Sequence, residues 1–65
     1  MNEIRYSVEV TRKGERLFSC VLTCAGKDPN YIPHAELQKI AAPLAPCDVK
    51  CRCLSAGWYA ERRFS

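Results

Sequence analysis

The chain has 65 residues, with ten lysines and arginines against seven acidic residues, a net charge of +3. A chain this short makes one small domain, residues 1–65, with a thin core and no room for a catalytic domain beside a regulatory one. Hydrophobic residues are 48% and charged residues 26%, which excludes intrinsic disorder. No apolar run approaches the roughly 18 residues that a membrane-spanning helix requires.

The opening segment Met1-Asn2-Glu3-Ile4-Arg5-Tyr6 holds an acid and no apolar stretch, unlike a secretory leader. Five cysteines, an odd number, would leave one over in an internal disulfide framework. Both features point to a reducing, cytoplasmic setting in which thiols stay unbridged or hold metal.

Ile4, Tyr6, Val8 and Val10 alternate with Glu3, Arg5, Ser7, Glu9 and Thr11, so residues 3–11 read as a half-buried strand. Residues 17–25, rich in Val, Leu, Thr and Cys, form a second β-like run. Between them, Arg12-Lys13-Gly14 suits a three-residue hairpin loop with glycine in the left-handed third position. That register sets Val10 opposite Arg16, Val8 opposite Phe18, Tyr6 opposite Cys20 and Ile4 opposite Leu22. It turns Phe18, Cys20, Leu22 and Cys24 toward the core. A two-residue Lys13-Gly14 loop would bury Leu17, Ser19, Val21 and Thr23 instead, a smaller apolar set.

Gly26-Lys27-Asp28-Pro29-Asn30 is turn chemistry. Pro33 suits the first turn of a helix, and Leu37, Ile40, Ala41 and Leu44 then recur at helical spacing. Glu36 near the start and Lys39 nearer the end complement the helix dipole. Pro43 stops the helix, and Pro46 keeps the chain extended. Val49, Cys51 and Cys53 alternate with Lys50, Arg52 and Leu54 as a third strand, and Trp58 to Phe64 reads as a fourth. A two-residue Ala56-Gly57 loop pairs Arg52 with Glu61, Val49 with Phe64 and Cys53 with Ala60. The expected fold is α+β: ββαββ, a mainly antiparallel sheet with a single helix packed on one face.

Few residues offer catalytic chemistry. His34 is the single histidine and falls on the polar side of the helix. The three glycines are isolated and form no phosphate loop. Asp28, Glu36, Asp48 and Glu61 sit in different elements, so no carboxylate pair forms. The expectation is therefore no enzyme and no cofactor. The five cysteines read first as small buried hydrophobes. The alternative is a zinc site built on Cys47, Cys51 and Cys53, completed by one residue from the first hairpin. Cys20 and Cys24 stand about 13 Å apart along an extended strand and fit a shared ion poorly. A Cys20–Cys53 bridge requires their strands to be neighbours.

The face of the sheet away from the helix is more informative. It carries Arg5, Lys50, Arg52 and Arg63 against Glu9 and Glu61, together with Leu17, Val21, Leu54 and Tyr59. Exposed apolar groups ringed by cations form a contact surface. Arg5, Lys50, Arg52, Tyr59 and Arg63 are the candidate binding residues. The segment from Lys50 to Arg63 holds four basic residues against Glu61 alone. Trp58, Arg62 and Phe64 interleave with it, an arrangement that could stack bases and hold phosphates.

In size and architecture the chain resembles the small inhibitors and accessory proteins encoded by phages and plasmids. The clustering of basic and apolar residues on the uncovered face, rather than that likeness, points to a non-enzymatic interaction module that binds a protein partner through an exposed sheet face or edge. The alternative is a nucleic-acid binder using the basic and aromatic C-terminal hairpin. Self-association through the same surfaces is a further expectation, and a membrane partner is not expected.

Overall fold

The structure is a computed structural model and describes residues 3–25 and 28–65. Strict alternation makes the first strand. β1 (Glu3–Arg12) buries Ile4, Tyr6, Val8 and Val10 on one side and exposes Arg5 and Ser7 on the other. β2 (Glu15–Ala25), helix α1 (His34–Ala41), a 3-10 turn (Ala42–Leu44), β3 (Cys47–Cys53) and β4 (Tyr59–Phe64) follow. The four strands form one antiparallel sheet in the order β2-β1-β3-β4, and the class is α+β. Of the expected turn after β2, Gly26 and Lys27 lie outside the described residues, as do Met1 and Asn2 of the leader reading.

The first hairpin differs from the expected register. Lys13 and Gly14 both have positive φ, 52° and 82°, and form a two-residue turn that pairs Arg12 with Glu15. Such turns match the right-handed twist of the flanking strands. On its own this loop would send Phe18, Cys20, Leu22 and Cys24 to the wrong side. A bulge beside Val10 and Thr11 absorbs Leu17 as an extra residue, and beyond it Val10 faces Phe18, Val8 faces Cys20, Tyr6 faces Leu22 and Ile4 faces Cys24. Loop and bulge each move the pairing by one residue, so together they restore the apolar side.

The second hairpin is also displaced by two residues from expectation. Arg52 pairs with Tyr59, Lys50 with Glu61, Asp48 with Arg63, Cys51 with Ala60 and Cys47 with Phe64. A four-residue loop, residues 54–57, replaces the two-residue one. The Gly57 N–H donates to the Cys53 carbonyl at 2.7 Å and the Cys53 N–H to the Trp58 carbonyl at 2.9 Å. Gly57 has a φ of 83°, which a side chain would strain. Leu54 and Ser55 also dock on β1: the Leu54 N–H donates to the Arg5 carbonyl at 2.8 Å, and the Arg5 N–H to Ser55 Oγ at 3.3 Å.

After β2, an Asp28 turn redirects the chain, with the Asn30 N–H on Asp28 Oδ1 at 2.8 Å and the Tyr31 N–H on the Asp28 carbonyl at 2.9 Å. α1 then buries Leu37 and Ala41, with Ile40 and Leu44 half-buried against the same core. Tyr6 is the central side chain, with no exposure. Its ring lies 5.9 Å from that of Trp58, and its hydroxyl donates to the Tyr31 carbonyl at 2.7 Å. The helix and the segment leading into it cover β1 and β3. They do not fully cover β2, where Phe18 is 45% exposed and Cys20 and Leu22 are half-buried. Phe18 is therefore not the covered core residue that its spacing suggests.

Two stability changes follow. Lys13→Asn should raise unfolding free energy by about 0.5–1 kcal/mol in urea titrations, because asparagine tolerates the left-handed region better than lysine. Burial, helped by the neighbouring Cys24 and Cys53 thiols, pushes the Tyr6 phenol up to about 12 from an ordinary 10.0. The folded state then holds a proton that the unfolded chain releases, so stability falls as pH climbs from 10 to 12. Tyr6→Phe should lower stability at neutral pH by about 1–2 kcal/mol. It should also flatten that alkaline loss, read from thermal melts of the two chains at matched pH.

Candidate functional site

Because side chains alternate along a strand, the register decides what shares the open face. One row runs Val21, Ser7, Arg52, Tyr59 across all four strands. The next runs Ser19, Glu9, Lys50, Glu61. The twisted sheet hollows here into a trough of about 700 Å³ lined by Ser7, Glu9, Arg16, Val21, Lys50, Arg52 and Tyr59 among others. Its two rims are apolar: Val21 is 62% exposed at one end and Tyr59 52% at the other. Cations occupy the floor between them.

The charges are partly committed. Arg16 Nη1 lies 3.7 Å from Glu9 Oε2, an exposed ion pair worth little alone. Tyr59 donates its hydroxyl to Glu61 Oε1 at 3.1 Å. Partial desolvation and this bond to a carboxylate raise the Tyr59 pKa, so the phenol stays a neutral donor at physiological pH. Lys50 stands between Glu9 and Glu61 as cross-strand neighbour of both. Arg52, exposed and flanked by Ser7 and Tyr59, has no carboxylate directly across from it.

Of the expected binding residues, Lys50, Arg52 and Tyr59 come together in the trough. Arg5 lies on the same face but outside the lining, opposite Thr23. Arg63 is drawn away: its Nε sits 3.2 Å from Asp48 Oδ1, beside a second, smaller hollow with Arg12 and Lys13. Arg16 was not foreseen here, because a three-residue loop puts it opposite Val10 on the helix side. The two-residue loop sets it opposite Thr11 instead, ahead of the bulge. The Lys13-Gly14 pair followed by an apolar run one residue out of phase was the signal in the sequence.

The aromatic residues expected to stack bases lie elsewhere. Trp58 packs against Tyr6 and donates its indole N–H to the Pro29 carbonyl at 2.8 Å. Phe64 is half-buried against the core opposite Cys47. Arg62 sits opposite Val49 and donates to the Glu61 carbonyl at 2.9 Å. Trp58 and Phe64 thus pack on the helix side, across the sheet from Lys50 and Arg52.

Cys47, Cys51 and Cys53 are buried at positions of one parity along the continuous strand β3. Four strand steps, about 13 Å, separate Cys47 from Cys51. The Cys47 thiol reaches the Ala41 carbonyl at 3.7 Å and the Cys53 thiol the Pro29 carbonyl at 3.8 Å. Among the described residues, no three potential ligands converge. β1 lies between β2 and β3, so Cys20 and Cys53 are two strands apart and too distant for a bridge. Burial raises the Cys20 and Cys51 pKa values, the latter also through Cys53, which keeps both as protonated, weakly nucleophilic thiols. His34 is exposed at the start of α1.

No protein-family model, no curated protein and no solved structure matches this chain. Among the described residues, no helix is long and apolar enough to cross a membrane.

The cysteine geometry makes a direct prediction. Native mass spectra of the purified chain should show the bare mass with and without a chelator. A zinc adduct that disappears on chelation, with loss of the folded charge-state distribution, would overturn the reading of these thiols as packing residues.

Proposed function

We propose that this chain is a small non-enzymatic interaction module that binds a protein partner through the open face of its sheet. The observation that carries the reading is the row Val21, Ser7, Arg52, Tyr59: two exposed apolar rims with a guanidinium and a hydroxyl between them, in a trough that none of the described elements fills. Large exposed side chains cost little in a monomer when scattered, but two that flank one hollow, with a guanidinium between them that faces no carboxylate, suit a contact surface. Arginine and tyrosine are the side chains that most often dominate binding energy at such surfaces. The matching partner surface carries carboxylates between two apolar groups, one seated on Val21 and one on Tyr59.

The trough is wide and shallow, and its ionisable groups lack the convergent acid, base and nucleophile that a reaction would need. Blocking a partner's own contacts is the activity such a surface supplies most directly, as in a small inhibitor or accessory protein.

Tagged wild-type, Arg52→Glu, Tyr59→Ala and Arg63→Glu chains, used as baits in lysate of the source cells, test the reading. A partner retained by the wild type after nuclease treatment should be lost with Arg52→Glu and with Tyr59→Ala. Each change should cost about tenfold or more in affinity with the melting temperature nearly unchanged. Arg63→Glu should bind nearly as well as wild type. Retention by all three variants, or capture that nuclease abolishes, removes the protein-docking reading.

A further inference from the structure

The two edges of the sheet are built differently. β4, one edge, reads Tyr-Ala-Glu-Arg-Arg-Phe, and its three consecutive charges guard it against strand addition. β2, the other edge, is 11 residues long, and its charges are confined to Glu15 and Arg16 at one end. From Leu17 to Ala25 it carries no charge and no proline. An edge of that length without such guards is a template for another strand.

The hydrogen-bonding directions show which groups this edge offers. The Arg5 N–H and carbonyl both point toward the loop after β3, on Ser55 and Leu54. Directions alternate along an antiparallel strand, so Tyr6 and Val8 point toward β2 and bond their partners Leu22 and Cys20. Ser19, Val21 and Thr23 therefore direct their N–H and carbonyl groups outward.

We propose that β2 pairs antiparallel with β2 of a second copy of this chain, about a two-fold axis at Cys20. Cys20 is the midpoint of Glu15–Ala25, and beyond the bulge at Leu17 this register pairs the regular stretch from Phe18 to Leu22 of both copies. It sets Ser19 against Val21 of the second copy, and the two symmetry-related pairs exchange about four new backbone hydrogen bonds. On the helix side it sets Phe18 against Leu22 of the second copy. These are the large apolar side chains that α1 leaves partly bare. No charge meets a like charge anywhere in the pairing. A closed two-fold pair uses the same edge on both copies, the commonest symmetry of small assemblies. This edge shares Val21 with the trough but includes neither Arg52 nor Tyr59.

Sedimentation velocity and native mass spectrometry in reducing buffer should give twice the chain mass at micromolar concentration. Val21→Pro removes an outward N–H and leaves the β1–β2 ladder intact, so this chain should be monomeric with an unchanged far-ultraviolet spectrum. Should Val21→Pro fail to fold, Cys20→Lys is the second variant: it places two ammonium groups at the axis and should weaken association by about tenfold or more. Paired residues of the Cys20 type stand about 4.5 Å apart at Cα, within disulfide reach. Diamide, which takes two electrons and two protons from two thiols and becomes a hydrazine, should therefore give a covalent dimer that Cys20→Ser abolishes. Arg52→Glu should leave the dimer intact. A monomeric wild type, or a dimer that survives both Val21→Pro and Cys20→Lys, overturns the proposal.

Discussion

One short helix has to cover a four-stranded sheet, and it cannot. Eight residues make a helix about 12 Å long and roughly 10 Å across, while the axes of the outer strands lie about 14 Å apart. The molecule resolves the mismatch by centring its cover. Leu37 and Ala41 go over the middle strands, and the segment from Asp28 to Pro33 closes the end around Tyr6. What is left bare follows from that choice: much of the reverse face, and the inner side of β2 at Phe18 and Leu22. Both proposed interaction surfaces are remainders of this incomplete cover.

A thin core also explains the cysteines. β3 is covered on one side by α1 and flanked by β1 and β4, so its inward positions offer little depth. Valine at 49 and cysteine at 47, 51 and 53 fill it with small, polarisable groups that need no strong hydrogen-bond partner. Weak contacts to the Ala41 and Pro29 carbonyls complete the thiols at 47 and 53. The larger volume is supplied from elsewhere, by Tyr6 and the Trp58 ring leaning on it. Removing bulk from Tyr6 therefore threatens more of the fold than removing any one thiol.

The strands, the helix and the side of the sheet taken by most residues were legible in the sequence. The pairing was not. In both hairpins the true register lies two residues from the simplest one, and a shift of two keeps every side chain on its own face. That parity is why Lys50, Arg52 and Tyr59 could be placed together although their cross-strand neighbours were misassigned. Where parity gives no guidance the reading failed. Arg16 precedes the bulge and changes side, and Arg63 meets Asp48 only in the longer-loop register. Trp58 and Phe64 lie among basic residues in the chain yet face the other way, because two neighbours on a strand point to opposite sides.

The charged stretch Glu61-Arg62-Arg63 has a consequence beyond its own strand. A layer with two adhesive rims would stack end to end without limit, giving a ribbon or a fibre. In the proposed pairing one rim repels company and the other is consumed when two copies meet. Growth would then stop at eight strands, leaving a discrete particle instead of a polymer.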